Sequence, residues 1–194
     1  MELMEALIAP PRHVITERTR LGVDRLDEVW EGVYHVTPVP SREHGWIASE
    51  LLSLLSNQAR EHQVGTLRYD QAVGSPRDYR VPEWLFLSRG GARLSERGYV
   101  RAADLVCEVL SPGDDTWKKK PFYERMGVKE LLVIDPKPRR VWLFNLVVGR
   151  YVEVEPTRGW VRSESLKAGF RTGQRASKPA LLVRLELEAR TVAL

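Results

Sequence analysis

A chain of 194 residues, 43% hydrophobic and 29% charged, has the size and composition of one soluble globular domain rather than a disordered or membrane protein. No stretch approaches the roughly 20 apolar residues that cross a bilayer, and the acidic start "MELMEALIAPPRH" lacks the basic region of a secretory signal. A cytoplasmic protein without a membrane segment is expected. Its formal net charge is +4, and only seven of its 30 basic residues are lysine. Arginine's planar fork suits phosphate, so the balance permits a nucleic-acid partner, although scattered arginines also accompany GC-rich coding sequence.

In chain order, residues 1–26 read as an N-terminal extension with a short helix or loop, and a core of about 27–153 follows. The stretch "DEVWEGVYHVTPV" alternates around Glu31 and Gly32 and predicts a β-hairpin. Ser41 then caps an amphipathic helix over about 43–61, with Trp46, Ile47, Leu51, Leu54 and Leu55 at helical spacing. Strands are expected over 64–73 and 81–88, the first ended by "GSPRD". A loop rich in Gly and Arg leads to a strand over 104–110. After the "SPGDD" turn a helix over 117–126 stops at Gly127. The continuous apolar run "ELLVIDP" predicts a strand covered on both faces. "RRVWLFNLVVGRYVEVE" predicts a hairpin turning near Gly149, and 160–194 carries weaker strand signals. The sum is a single mixed α/β domain around one sheet flanked by helices.

The chemistry concentrates in "DLVCEVLSPGDDTWKKKPFYERMGV", residues 104–128. Strand alternation puts Asp104, Val106, Glu108 and Leu110 on one face and Leu105, Cys107 and Val109 on the other. The single cysteine, Cys107, excludes an intramolecular disulfide or a Cys-based zinc cluster and reads as a small buried hydrophobe. Glu108 inside an apolar run needs a cation, a metal or a proton. A lysine from the following helix can supply the cation. Glu83, at the start of "VPEWLFLS", offers a second carboxylate at the same sheet edge if the two strands pair. Two carboxylates beside a lysine suit Mg²⁺ and phosphodiester hydrolysis. At a strand–helix junction the same residues are most often a surface salt bridge.

"VPEWLFLS" followed by "DLVCEVLSPGDDTWKKKPFYERMGVKELLVIDP", with "DEVWEGVYHVTPVPSREHG" upstream, resembles the Uma2 family (DUF820), assigned to the PD-(D/E)XK superfamily of restriction-endonuclease-like proteins. The matches run from about residue 27 to 153. The resemblance implies a restriction-endonuclease-like fold with a mixed, twisted sheet, and a DNA endonuclease that uses Mg²⁺ or Mn²⁺ and no nucleotide cofactor. It implies a homodimer, since two strands are to be cut. Glu83 takes the place of the family's aspartate and is one methylene longer. Glu108 takes the acidic (D/E)XK position, and the backbone carbonyl of Val109 joins them as a metal ligand. Leu110 stands where that motif's lysine would fall. The family draws the lysine from the next helix, four residues before the tyrosine; counted back from Tyr123, this is Lys119. The "SPGDD" turn leaves Asp114 and Asp115 as alternatives for one acidic position.

Other residues carry two readings each. Glu28 points into the cleft or is an exposed hairpin charge. His44 touches phosphate, or caps the helix and holds the hairpin. Asp104 assists a metal or is a hydrogen-bonded residue at the strand entrance. Tyr123 packs beneath its helix with a hydroxyl able to steady a neighbour. Lys118 and Lys120 are solvated or contact phosphate, and Arg42, Arg77 and Arg80 are assigned to DNA by proximity in sequence. The tryptophans, Trp84 and Trp117 included, stack on bases or pack in core and rim. No P-loop or GxSxG elbow is present, and the four histidines show no metal-ligand spacing, which removes NTPase, serine-hydrolase and zinc-enzyme classes. The rival to a nuclease is a non-catalytic nucleic-acid-binding or interaction protein on the same fold.

Overall fold

The computed structural model describes residues 7–91, 95, 98–111 and 115–194. Its first half comprises β1 (Leu7–Ile8), α1 (Arg12–Leu21), β2 (Glu28–Trp30), β3 (Val33–Val36), α2 (Arg42–Glu61), β4 (Gly65–Arg68), β5 (Val73–Ser75), β6 (Asp78–Arg80) and β7 (Trp84–Ser88). Then follow β8 (Leu105–Val109), α3 (Thr116–Arg125), β9 (Glu130–Asp135), β10 (Arg140–Val147) and β11 (Arg150–Glu153). Four further strands close the chain: β12 (Val161–Ser163), β13 (Ala168–Arg175), β14 (Lys178–Leu185) and β15 (Arg190–Ala193). Among the described residues no helix is long and apolar enough to cross a membrane.

The main sheet has six strands in the order β11-β10-β9-β8-β7-β4. It is mixed: β8 and β9 are parallel, joined by α3, and the other pairs are antiparallel. Every residue of β8 is buried, which accounts for apolar residues on both of its faces, with Glu108 the exception. On one face, Leu105, Cys107 and Val109 pack with Ile47, Leu51 and Leu55 of α2 and with Phe170 and Val183 of the terminal sheet. On the other, Val106, Leu131 and Val133 pack with Phe122 and Tyr123 of α3. Full burial of such aliphatic and aromatic side chains contributes roughly 1.5–3 kcal/mol each, so both layers hold β8 in register.

Local chemistry sets the connections. The β2–β3 turn uses Glu31 at φ +50° and Gly32 at φ +87°, the conformation that matches strand twist in a two-residue hairpin. The β10–β11 turn repeats it with Val148 and Gly149. Ser41 Oγ accepts from the His44 backbone N–H at 3.3 Å and caps α2.

Three expectations change. The strand expected over 64–73 stops at Arg68, and "GSPRD" is the turn of a hairpin, β5–β6, rather than a terminator. Residues before 27 are more than an extension, because β1 pairs with β3 at the edge of a second, five-stranded sheet ordered β1-β3-β2-β6-β5. The strands expected over 160–194 do form, but the single sheet expected becomes three, because they build a four-stranded sheet of their own, β12-β13-β14-β15, that shares the α2-side core.

Candidate active site

The antiparallel register of β7 and β8 sets Trp84 opposite Cys107. Just before β7, Glu83 donates its N–H to the Cys107 carbonyl at 3.1 Å, which brings it to the Glu108 end of β8. The two carboxylates therefore meet at the ends of neighbouring central strands rather than at a sheet edge. Glu108 is 3% exposed, whereas the Glu83 side chain is 28% exposed and open to a ligand.

α3 places its charges over this point. Lys119 Nζ donates to Glu108 Oε2 at 3.2 Å and lies 2.8 Å from Glu28 Oε1. One helical turn on, the Tyr123 hydroxyl donates to Glu108 Oε1 at 2.5 Å, as the i, i+4 spacing of the two residues allows. Glu28 is buried and fixed on both oxygens. Its Oε1 accepts from the Val81 N–H at 2.9 Å and its Oε2 from Trp30 Nε1 at 2.6 Å. The reading of Glu28 as an exposed hairpin charge is thus corrected. Glu28 and Trp30 share one face of β2, so the indole partner was present in the sequence as an i, i+2 pair.

His44 is buried and bridges two groups: Nε2 lies 2.5 Å from Glu83 Oε1 and Nδ1 lies 2.7 Å from Ser111 Oγ. A carboxylate only accepts, so Nε2 carries the proton, and in the neutral ring Nδ1 accepts from the Ser111 hydroxyl. The cap of α2 belongs to Ser41, so the imidazole does not cap the helix; it holds Glu83. Ser111 was not singled out in the sequence. Its only signal is its place just beyond the end of β8.

The electrostatics follow from burial and count. Burial pushes the Glu108 carboxyl up; Lys119 and Tyr123 pull it down, Glu28 and Glu83 push it up, and it comes to about 7. Burial lowers the Lys119 ammonium, but Glu108 and Glu28 outweigh this and raise it above its ordinary value. Lys119 stays charged. Three carboxylates around one ammonium leave a surplus of negative charge that a proton or a cation can neutralise.

Other expected residues lie elsewhere. Asp104 sits at the far end of β8, about 13 Å along the strand. It accepts from the Ser88 N–H at 2.7 Å, Ser88 Oγ at 2.8 Å and Lys129 Nζ at 2.6 Å, so it is a structural anchor and not a metal partner. Arg80 is 3% exposed, held by the Val29 carbonyl and Asp78 and enclosed between the Trp30 and Phe122 rings, 4.2 Å from each centroid. It cannot reach DNA. Lys120 lies 3.8 Å over the Phe144 ring rather than in solvent, and exposed Lys118 pairs with Asp115 at 2.7 Å, away from the carboxylates. Arg42 and Arg77 are exposed. Asp114 lies outside the described residues. Cys107 and Trp84 are core residues, as their apolar setting implied. The fold also brings His62 beside Glu61 and Glu188, a grouping that histidine spacing could not show; Glu61 and His62 are exposed, and Glu188 is paired with Arg190.

The donors fit a hard divalent cation. Glu83 and Glu108 offer only carboxylate oxygen, the donor type that Mg²⁺ takes, and the Glu83 side chain is partly exposed. The surplus negative charge favours the same kind of ion.

A solved structure described as "a putative nuclease belonging to DUF820" from Anabaena variabilis ATCC 29413 shares the fold, with a TM-score of 0.59 and 19% identity over 72% of this chain and 82% of that one. None of the curated proteins matches the chain. The Uma2 family model, described as "Putative restriction endonuclease", matches residues 24–176. On that span, which holds every residue of the cluster, the chain belongs to the Uma2 family.

Proposed function

We propose that this protein is a metal-dependent endonuclease that hydrolyses DNA phosphodiester bonds. The observation that carries the reading is Lys119, a charged lysine clamped between Glu28 and Glu108 at the end of β8, where Glu83 bonds to the neighbouring Cys107 carbonyl. Glu83, Glu108 and the carbonyl of Val109 would hold Mg²⁺ or Mn²⁺. Such an ion, when bound, supplies Lewis acidity toward the phosphodiester and toward water.

The chain's own groups divide the remaining work. Lys119 cannot act as a base, because its two carboxylate partners keep it protonated. It orients the attacking water by donating to it and places positive charge where the pentavalent phosphorane develops negative charge. Glu28 holds the Lys119 ammonium in place, and Tyr123 and Lys119 fix the two oxygens of Glu108, Oε1 and Oε2. His44 locks Glu83 through Nε2, and Ser111 fixes the ring in turn. Cutting both strands calls for two copies of the site, which is the reason to propose a homodimer.

Nicking of supercoiled plasmid in Mg²⁺ or Mn²⁺ tests the reading. Wild type should nick, while Glu108→Ala and Lys119→Ala should lose activity by about 10²-fold or more. Nicking that survives Glu108→Ala would sink the assignment. A gel shift without cutting would instead favour a binding protein on the nuclease fold.

A further inference from the structure

Glu108, Val133 and Trp142 are paired neighbours on β8, β9 and β10. Paired residues project to one face of a sheet, so Trp142 stands on the Glu108 face, about 10 Å away across two strand spacings. Trp117, two residues before Lys119 on α3, meets Trp142 edge to face with ring centroids 5.3 Å apart. The Arg140 guanidinium covers Trp142 at 4.6 Å. Trp117 is 43% exposed and Arg140 is exposed. A continuous series of side chains therefore leads from the helix of Lys119 to Arg140.

That series ends in a groove of about 610 Å³. Arg140 and Trp142 form one wall, where β10 has not yet met β11; that pairing begins only at Phe144. Arg158 and Arg171 come from the other wall, and Glu153 is the one carboxylate that lines it. Among the described residues none of the three arginines is ion-paired. Several surface arginines elsewhere are, as Arg20 is with Glu17 and Arg162 with Glu186. Arg171 lies against Trp160 at 4.8 Å, and its Nε is a buried donor without a hydrogen-bond partner among the described residues. Unpaired guanidinium groups interleaved with indoles suit a sugar–phosphate backbone with bases free to stack.

We propose that the Trp117–Trp142–Arg140 series and the Arg158–Arg171 groove form a track for the substrate's nucleic-acid strand beside the scissile phosphate. The nucleic-acid identity of the ligand rests on the nuclease reading above. The track replaces the assignment of DNA to Arg80, whose guanidinium is enclosed.

Binding of a short fluorescein-labelled DNA, as single strand and as duplex, is followed by anisotropy in chelator across a salt series, with melting checked for every variant. The test variant is Arg140→Gln with Arg158→Asn, asparagine being chosen because Arg158 has φ +53°, which it tolerates. The control is Arg190→Glu on β15, the edge of the terminal sheet away from β12, with the same change in net charge. The slope of log K against log salt should fall by about 2 in the test variant, roughly 1 for each arginine, and Trp117→Ala should weaken the single strand more than the duplex. A control that weakens binding as much as the test variant, or DNA that does not bind at all, overturns the track. Plasmid nicking by wild type separates the two readings. Nicking with unaltered binding in the test variant removes the track alone. Arginine-dependent binding without any nicking removes the nuclease and leaves the track as a polyanion site.

Discussion

Asp104 and Glu108 lie four residues apart on one strand and are equally buried, at 3% exposure, yet their surroundings treat them in opposite ways. At Asp104 burial pushes the pKa up, but Lys129 and the two Ser88 donors outweigh it and the carboxyl falls below its usual value. At Glu108 burial is met by Lys119 and Tyr123 but reinforced by Glu28 and Glu83, and the carboxyl rises to about 7. One end of β8 has donors to spare and is an anchor. The other has carboxylates to spare and is poised for a cation. Burial of a charge is thus no sign of function by itself; the imbalance around it is.

The sharpest way to break this contrast is to remove Lys119. Stripping a buried group of its partner costs about 3–5 kcal/mol, so Lys119→Ala should lose that much in urea unfolding at pH 8. Lys129→Ala, which removes a side chain that is 64% exposed, should lose far less. Equal losses would show that the two ends are alike.

Acidity gives the next largest effect. The folded pKa of Glu108, about 7, lies above its ordinary value of 4.5, so the folded state binds more protons across that window. Its contribution to stability is complete below about pH 4.5 and is gone once the pH has risen through 7, a change of up to about 3 kcal/mol. Asp104 is lowered, so its contribution is present above its unfolded value and disappears as acid protonates the folded carboxyl. In chelator, Glu108→Gln should flatten the decline between pH 5 and 8, and Mn²⁺ should stabilise wild type at pH 8 but not this variant. A wild-type decline that persists in Glu108→Gln would place its origin elsewhere.

Asp104→Asn should be milder, since the Ser88 N–H and hydroxyl keep a weaker acceptor; a loss of about 1–3 kcal/mol at pH 7 is expected. Mn²⁺ affinity should not change, and a change would tie the two strand ends together. The smallest effect concerns His44, which touches Glu83, a ligand only in the proposal above. His44→Ala should lower Mn²⁺ affinity about tenfold by isothermal titration, with Ser111→Ala lowering it less. Unchanged affinity would show that Glu83 needs no support.

Much of the cluster was legible in the sequence because local pattern carried it. An acidic residue in an apolar strand, a following helix rich in lysine and a strand-opening Glu83 are readable along the chain, whereas the choice of Lys119 among three lysines came with the family resemblance, counted back from Tyr123. Glu28 was harder. A charge next to a hairpin turn looks solvated until β2 is seen against α3. Arg80 failed for the same reason: its neighbours Trp30 and Phe122 are distant in sequence, so proximity to "GSPRD" suggested an exposed phosphate contact where the fold encloses the side chain.

The amino-acid order alone determined the hairpin turns, the cap of α2, the two-sided burial of β8 and the alternation that separates Glu108 from Cys107. These depend on φ preferences and on the two-residue and 3.6-residue periods, which act within a few positions. Only the tertiary structure decided which end of β8 is an anchor and which a site, that His44 holds Glu83, and that Arg140, Arg158 and Arg171 share a groove. Those outcomes depend on strand order and on how many charges surround a buried carboxyl, quantities set by contacts between residues far apart along the chain.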